Sequence, residues 1–252
     1  MDLRQCFLTE NACYVTGKTQ TVRGIMMHST GANNPNLCRY VQPDDGYLGA
    51  NKYGNHWNQY MPDKKKKCVH AFIGQNKYGN IATYQTLPWD MVGWHSGRGK
   101  KSSANFLGYI GFEICEDDLT DAKYFYGVYK EATELCAYLC KEYDLDPLED
   151  GVIICHSDGY KRGIASNHGD IYHWFPKFGK NMDTFRKDVA ALMNNNEPDS
   201  TPDSWAKDAV DWSLDNRILF GDGSGNYKLH SECTRQEMLV FLSRLYNLIK
   251  EK

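Results

Sequence analysis

Histidines 28 and 156 stand in matching places. Each directly follows a short apolar run, Gly24-Ile25-Met26-Met27 in one case and Val152-Ile153-Ile154-Cys155 in the other, and each is followed by serine. Runs of that kind suit strands buried on both faces. If two such strands share a sheet and run the same way, both imidazoles emerge at one edge, where ligands and catalytic groups collect in open α/β sheets. Two imidazoles there suit a metal ion, and His168, Asp170 and His173 offer further polar groups downstream. Nitrogen and carboxylate donors with one position left open describe a catalytic zinc site, in which water is acidified to a pKa of about 7. Cys155 adjoins His156 and raises the alternative of a cysteine hydrolase. Successive residues on a strand point to opposite faces, so these two cannot serve each other as nucleophile and base, and Cys155 reads as a core residue.

The elements that must position these groups are legible from periodicity. Val69 to Ile73 and Ile81 to Thr86 read as strands joined by a Lys77-Tyr78-Gly79-Asn80 turn. Tyr109 to Cys115 alternates, with Ile110, Phe112 and Ile114 on one face and Glu113 on the other. After Thr120, the residues Phe125, Val128, Tyr129, Ala132, Cys136, Leu139 and Tyr143 recur at helical spacing, with Pro147 beyond. A second helix follows Asp183, with Val189, Leu192 and Met193 on its inner side. Strands alternating with helices predict an α/β domain, a mixed central β-sheet flanked by helices. The polar stretch Asn194 to Asp203, with Pro198 and Pro202, reads as a linker. The expected division is a domain over 1–193, a linker over 194–203 and a small helical module over 204–252.

Composition narrows the function classes. At 252 residues, 41% hydrophobic and 24% charged, the chain is neither disordered nor fibrous. A net charge of -3 and a pI of about 6.2 lack the footprint of a general nucleic-acid binder, and no polyanion partner is implied. Lys64 to Lys67 form a basic run that reads as a solvated loop, with binding to anionic wall polymer as the sharper alternative. Apolar runs are far shorter than the roughly 18 residues a membrane span needs, so no membrane insertion is expected. The start, with polar Thr9, Glu10 and Asn11, has no apolar signal region, so synthesis in the cytoplasm without a signal peptide is expected. Nine cysteines, an odd number without a CxxC pair, suit reduced thiols used as small apolar residues.

Five stretches in order carry a resemblance: Gly24-Ile25-Met26-Met27-His28-Ser29-Thr30, His70-Ala71-Phe72-Ile73, Gly93-Trp94-His95-Ser96-Gly97, Ile110-Gly111-Phe112-Glu113 and Cys155-His156-Ser157-Asp158. Over most of residues 1 to 193 the chain resembles the type 2 N-acetylmuramoyl-L-alanine amidases, which include amidase-type phage lysozymes and are related to peptidoglycan-recognition proteins. The resemblance implies zinc held by His28, His156 and a third ligand, Asp170, with His168 as the alternative. Two departures from the family pattern stand out, the longer spacing from His156 to Asp170 and His168 in the place of a catalytic lysine. The resemblance further implies Glu113 as the acid beside the metal water, and His168, if not a ligand, as oxyanion stabiliser or proton donor. His70 is placed as a supporting or substrate-contact residue, with a packed strand histidine as the other reading. Trp94 and His95 lie in a glycine-flanked loop and read as groove residues, with plain loop packing as the other reading. The implied activity is hydrolysis of the amide between N-acetylmuramic acid and L-alanine in bacterial peptidoglycan, by an endolysin or autolysin that reaches the wall after release or lysis. A noncatalytic peptidoglycan-binding protein is the alternative.

The last 48 or so residues resemble a single S-layer-homology repeat, a wall-anchoring module. Trp205 to Trp212 opens one helix, and Thr234 and Glu237 form a capping box at the start of another. Such modules normally work in threes, so one copy implies association between chains or limited anchoring. Asp222, Ser224 and Asn226 resemble part of a calcium loop, but no glutamate stands at its twelfth position, so a plain turn is expected.

Overall fold

The computed structural model describes residues 1–194, 200–221, 226–231 and 233–250. In chain order the elements are β1 (Leu3–Gln5), α1 (Ala12–Thr16), β2 (Gly24–Asn33), β3 (Ala71–Gln75), β4 (Ile81–Gln85), β5 (Tyr109–Glu116), α2 (Ala122–Glu142), β6 (Ile153–Cys155), α3 (His156–Arg162), α4 (Met182–Asn194), α5 (Lys207–Asp215) and α6 (Arg235–Lys250). They divide into two compact units, Met1–Leu192 and Met193–Lys252.

The apolar runs become the middle of a mixed six-stranded sheet ordered β1-β4-β3-β5-β2-β6. Every adjacent pair is parallel except the β3/β4 hairpin. Its turn is closed by Asn76, whose side-chain oxygen accepts from the backbone of Tyr78 and Asn80, and Gly79 supplies the positive φ of 79° that the turn requires. The central strand β2 lies between β5 and β6, with Met27 opposite both Phe112 and Cys155. Parallel strands covered on both faces need apolar side chains on both, and Ile25, Met26, Met27, Phe112 and Ile154 are 0% exposed.

Helix α2 forms because Asp121 caps it, its carboxylate accepting from the backbone of Lys123 and Tyr124, and because the predicted apolar stripe lies on one side. Phe125, Val128, Ala132, Leu135, Cys136 and Leu139 are buried. Phe125 stacks on Phe178 at 4.3 Å and meets Trp174 and Phe175 edge-on, tying the segment after Asp170 to the core. Tyr143 caps the helix. All nine cysteines are free thiols.

Two boundaries differ from the expected ones. Strand β2 does not stop at Met27 but runs on to Asn33, because β5 continues alongside it to Glu116 and supplies backbone partners. His28 therefore lies inside a strand. His156, by contrast, is the first residue of α3, with Cys155 at its cap.

In the second unit Thr234 and Glu237 close a reciprocal capping box: the Glu237 carboxylate accepts from the Thr234 backbone at 2.8 Å and the Thr234 hydroxyl from the Glu237 backbone at 3.2 Å. Neither α5 nor α6 buries a residue fully. Half of the expected linker, residues 195–199, and Asp222 and Ser224 of the loop lie outside the described residues. Among the described residues no helix is long and apolar enough to cross a membrane.

Because the first unit has its own core, a chain ending at Asn194 is expected to stay soluble and unfold cooperatively. Its stability should fall by less than about 1 kcal/mol, a Tm shift under about 4 °C for a unit of this size. Thermal denaturation followed by circular dichroism checks this, and an aggregating product would show that the second unit completes the first.

Candidate active site

Because β2 and β6 are parallel neighbours in register at Met27 and Cys155, the next residues, His28 within β2 and His156 at the start of α3, lie side by side at the end of β6. The rings of His28 and His156 meet edge to face with centroids 4.9 Å apart, and their Nδ1 atoms are 3.0 Å apart. Asp170 arrives on a short 3-10 turn, Asp170–His173. Its backbone is held at φ 34°, in the left-handed region that aspartate tolerates better than most residues. The carboxylate Oδ2 lies 3.2 Å from His28 Nδ1 and 3.3 Å from His156 Nδ1. Burial alone would raise the Asp170 pKa, but hydrogen bonds from His156 and His28 hold it well below the usual carboxylate range. Burial lowers the His28 pKa, so its neutral, lone-pair-bearing form is favoured.

These three atoms form a triangle with edges of 3.0, 3.2 and 3.3 Å. A tetrahedral ion with bonds of about 2.0 to 2.1 Å has donor–donor edges of about 3.3 Å, so the set fits one face of such a site. His28, His156 and Asp170 form the metal-capable group found among the described residues. Of the two candidates for third donor, Asp170 reaches the pair. His168 is exposed, its ring edge-on to His156 at 4.6 Å.

The far side of each imidazole is also engaged. His28 Nε2 lies 2.9 Å from His95 Nδ1, and His95 Nε2 faces the Tyr109 carbonyl at 3.4 Å. The contact with His95 fixes the orientation of the His28 ring. His156 Nε2 lies 3.3 Å from the Ser166 hydroxyl, which donates to the Ser96 carbonyl. The segment carrying His95 is pinned by Asn105, whose side-chain oxygen accepts from the backbone of His95 and Ser96. Behind it, His70 is 0% exposed, accepts from the Gly111 backbone at Nδ1 and donates to the Met91 carbonyl from Nε2. Burial lowers its pKa to about 4. The structure thus packs His70 as a residue supporting His95. Its two polar atoms are fully used by backbone, which leaves it nothing to offer a ligand. His95 is half-buried and directed at His28, and Trp94 faces the opposite side of the same loop.

Glu113 is the cross-strand partner of His28. Its Oε2 is buried and finds no hydrogen-bond partner among the described residues. Burial first, then the charges of Asp170 and Glu116, push its pKa well above the usual range. Both groups line one cavity of about 410 Å³, with His156, His168 and Asp170 on its walls. His173 at its rim contacts Glu116 at 3.0 Å, and Glu116 also accepts from the Gly31 backbone. Cys155 faces elsewhere, and burial pushes its thiol up to about 12.

The segment from residue 18 to residue 171, which spans His28, Glu113, His156 and Asp170, matches the family model described as N-acetylmuramoyl-L-alanine amidase. The chain belongs to that amidase family. The amidase is similar in fold to the Staphylococcus aureus hydrolase AmiA in complex with its ligand, at 17% identity and a TM-score of 0.52, over 77% of this chain and 83% of that one. It is also similar to the PlyG catalytic domain, at 15% and 0.51 over 81% and 100%. The catalytic domain of XlyA gives 18% and 0.50 over 75% and 99%. No curated protein sequence matches the amidase.

Sequence reasoning assigned no role to Gly111, Ser166 or Asn105. Of these Gly111 carried a signal, a glycine inside a buried strand, which marks close approach: a Cβ there would fall 2.4 Å from the His95 ring. Gly111→Ala is therefore expected to displace His95 and cost about 1–3 kcal/mol, the usual penalty of overpacking. Denaturant unfolding measures it, and an unchanged midpoint would show that the ring yields freely.

Proposed function

We propose that this amidase hydrolyses the amide joining the lactyl carbonyl of N-acetylmuramic acid to L-alanine in bacterial peptidoglycan, with zinc held by His28, His156 and Asp170. The observation that carries this reading is the triangle of three donor atoms beside an unpartnered buried carboxyl in one cavity. The donor set, two imidazole nitrogens and one carboxylate oxygen, suits zinc with a position left open. Bound there, zinc supplies a Lewis acid that makes water nucleophilic near neutral pH and polarises an amide carbonyl.

The chain's own residues supply the rest. An amide is a poor electrophile with a poor leaving group, so a proton must leave the attacking water and another must reach the departing nitrogen. Glu113 Oε2 is free to take and pass on such a proton, and its raised affinity for one suits a group that works in both directions. His168, exposed at the cavity wall, is placed to donate a hydrogen bond to the developing oxyanion or a proton to the amine. His95 holds His28 in position, His70 and Gly111 hold His95, and Trp94 lies on the groove beside them.

In this reading the protein acts on the wall after release from the cell, as endolysins and autolysins do. The second unit, resembling one S-layer-homology repeat, tethers it there by raising its local concentration on an insoluble substrate, or does so after association with further copies of the chain.

Removing metal with a strong chelator is expected to abolish release of new L-alanine amino termini from wall fragments, and added zinc to restore it. Full activity in metal-free protein overturns the mechanism. Glu113→Gln is expected to retain one zinc per chain yet lose turnover on the order of 10²-fold or more, the scale of general acid–base assistance. Loss of zinc in that variant, read by elemental analysis, would make Glu113 a ligand or a structural residue instead.

A further inference from the structure

Charge is not spread evenly along this chain. From Lys64 to Phe112 the sequence has eight Lys and Arg and a single carboxylate, Asp90, although acidic residues outnumber basic ones overall. The whole-chain balance of -3 conceals this segregation. The fold then gathers much of it. Lys66 from the basic run and Arg98 and Lys101 from the loop after Gly97 line one cleft of about 660 Å³, together with Trp94, Asn105 and Phe106.

The three cations are exposed, and among the described residues none has a carboxylate within ion-pair distance. The neighbouring Lys67 differs, being held by Asp63 at 2.7 Å. Lys66 stays beside aromatic faces, 5.5 Å from the Trp94 ring and 5.9 Å from Tyr60. Lys64, Lys65 and Lys100 are exposed close by in sequence. Part of the polar lining is already engaged, since the Ser103 hydroxyl donates to the Gly97 carbonyl and the Asn105 side-chain oxygen accepts from the Ser96 hydroxyl. What the cleft offers a ligand is therefore positive charge and aromatic surface, Phe106 being 60% exposed. Its position is also specific, because the loop that presents Trp94 to the cleft presents His95 to His28.

We propose that this cleft binds a linear phosphodiester polymer of the bacterial wall, its phosphates paired with Lys66, Arg98 and Lys101 and its polyol or sugar carbons laid on Trp94 and Phe106. Repeated charge suits several unpaired cations better than the one or two carboxylates of a short peptide arm. The choice of a wall polymer rests on the function proposed above, which brings the chain to the wall. Each phosphate neutralised releases condensed counterions, so binding should weaken steeply with salt.

The test is calorimetric titration of the full chain with a defined poly(glycerol phosphate) at several salt concentrations. The probe contains no amide, so its binding is read separately from amide hydrolysis. Binding by the native chain is expected. The charge-reversed triple variant K66E/R98E/K101E should lose at least about tenfold in affinity, and the neutral variant K66Q/R98Q/K101Q should flatten the slope of log affinity against log salt by about two, the share of three phosphate pairings. All three residues are exposed, and unchanged thermal unfolding confirms that the variants fold. No binding by the native chain, or equal binding by both variants, overturns the proposal. So does tighter binding of a single-stranded oligonucleotide of equal charge, or an affinity for acidic muropeptide that the variants lose while keeping the polymer.

Discussion

The pairing of β2 with a parallel neighbour on either side is the constraint on which the rest of this molecule depends. His28 stands opposite Glu113 because Met27 stands opposite Phe112, and His156 comes within 3.0 Å of His28 because Cys155 stands opposite Met27. A slip of one residue in either ladder would turn the affected side chains to the other face of the sheet. The apolar residues that precede the histidines prevent this, since a slip would send His28 or Glu113 into the layer now filled by Met27 and Phe112. Packing thus specifies the site's geometry before any polar contact is made.

The polar contacts then remove the freedom that remains. An imidazole on a strand can still rotate, and here each ring is fixed from behind: His28 by His95, His156 by Ser166. His95 is itself wedged against a glycine and backed by a buried histidine whose nitrogens are both engaged. Buried polar groups are costly unless partnered, and in the cavity beside these rings two buried atoms have no partner among the described residues, the Oε2 of Glu113 and the hydroxyl of Ser29. Of the two, the carboxyl is the costlier to leave buried and unpartnered, and burial raises its affinity for a proton.

Much of the fold and part of the site could be read from residues alone. The matching contexts of His28 and His156, the hairpin, the alternation that turns Glu113 from the greasy face and the stripe of α2 all rest on period and burial, which the sequence displays. The choice between Asp170 and His168 does not, because both lie in an irregular segment without periodicity, and which of them comes near the two imidazoles depends on how that segment is held, with Trp174 and Phe175 beyond it packed on Phe125. His70 and His95 were recognisable as motif residues, but whether a histidine faces substrate or backs another histidine depends on neighbours distant in sequence. The whole-chain charge says nothing of local segregation, since it averages the basic stretch from Lys64 to Phe112 against acids elsewhere.

The parallel ladders have a consequence for the order in which the molecule comes into being. Residues 28 and 170 are 142 positions apart, and β2 cannot find its second neighbour until β6 exists. Contacts of such long sequence separation form late, since loop closure must precede them. During synthesis from the amino terminus, His28 emerges first, then Glu113, then His156, and Asp170 only after the last strand, β6. A fragment that ends after β6 but short of Asp170 therefore holds every strand of the sheet but lacks the carboxylate that lies against His28 and His156.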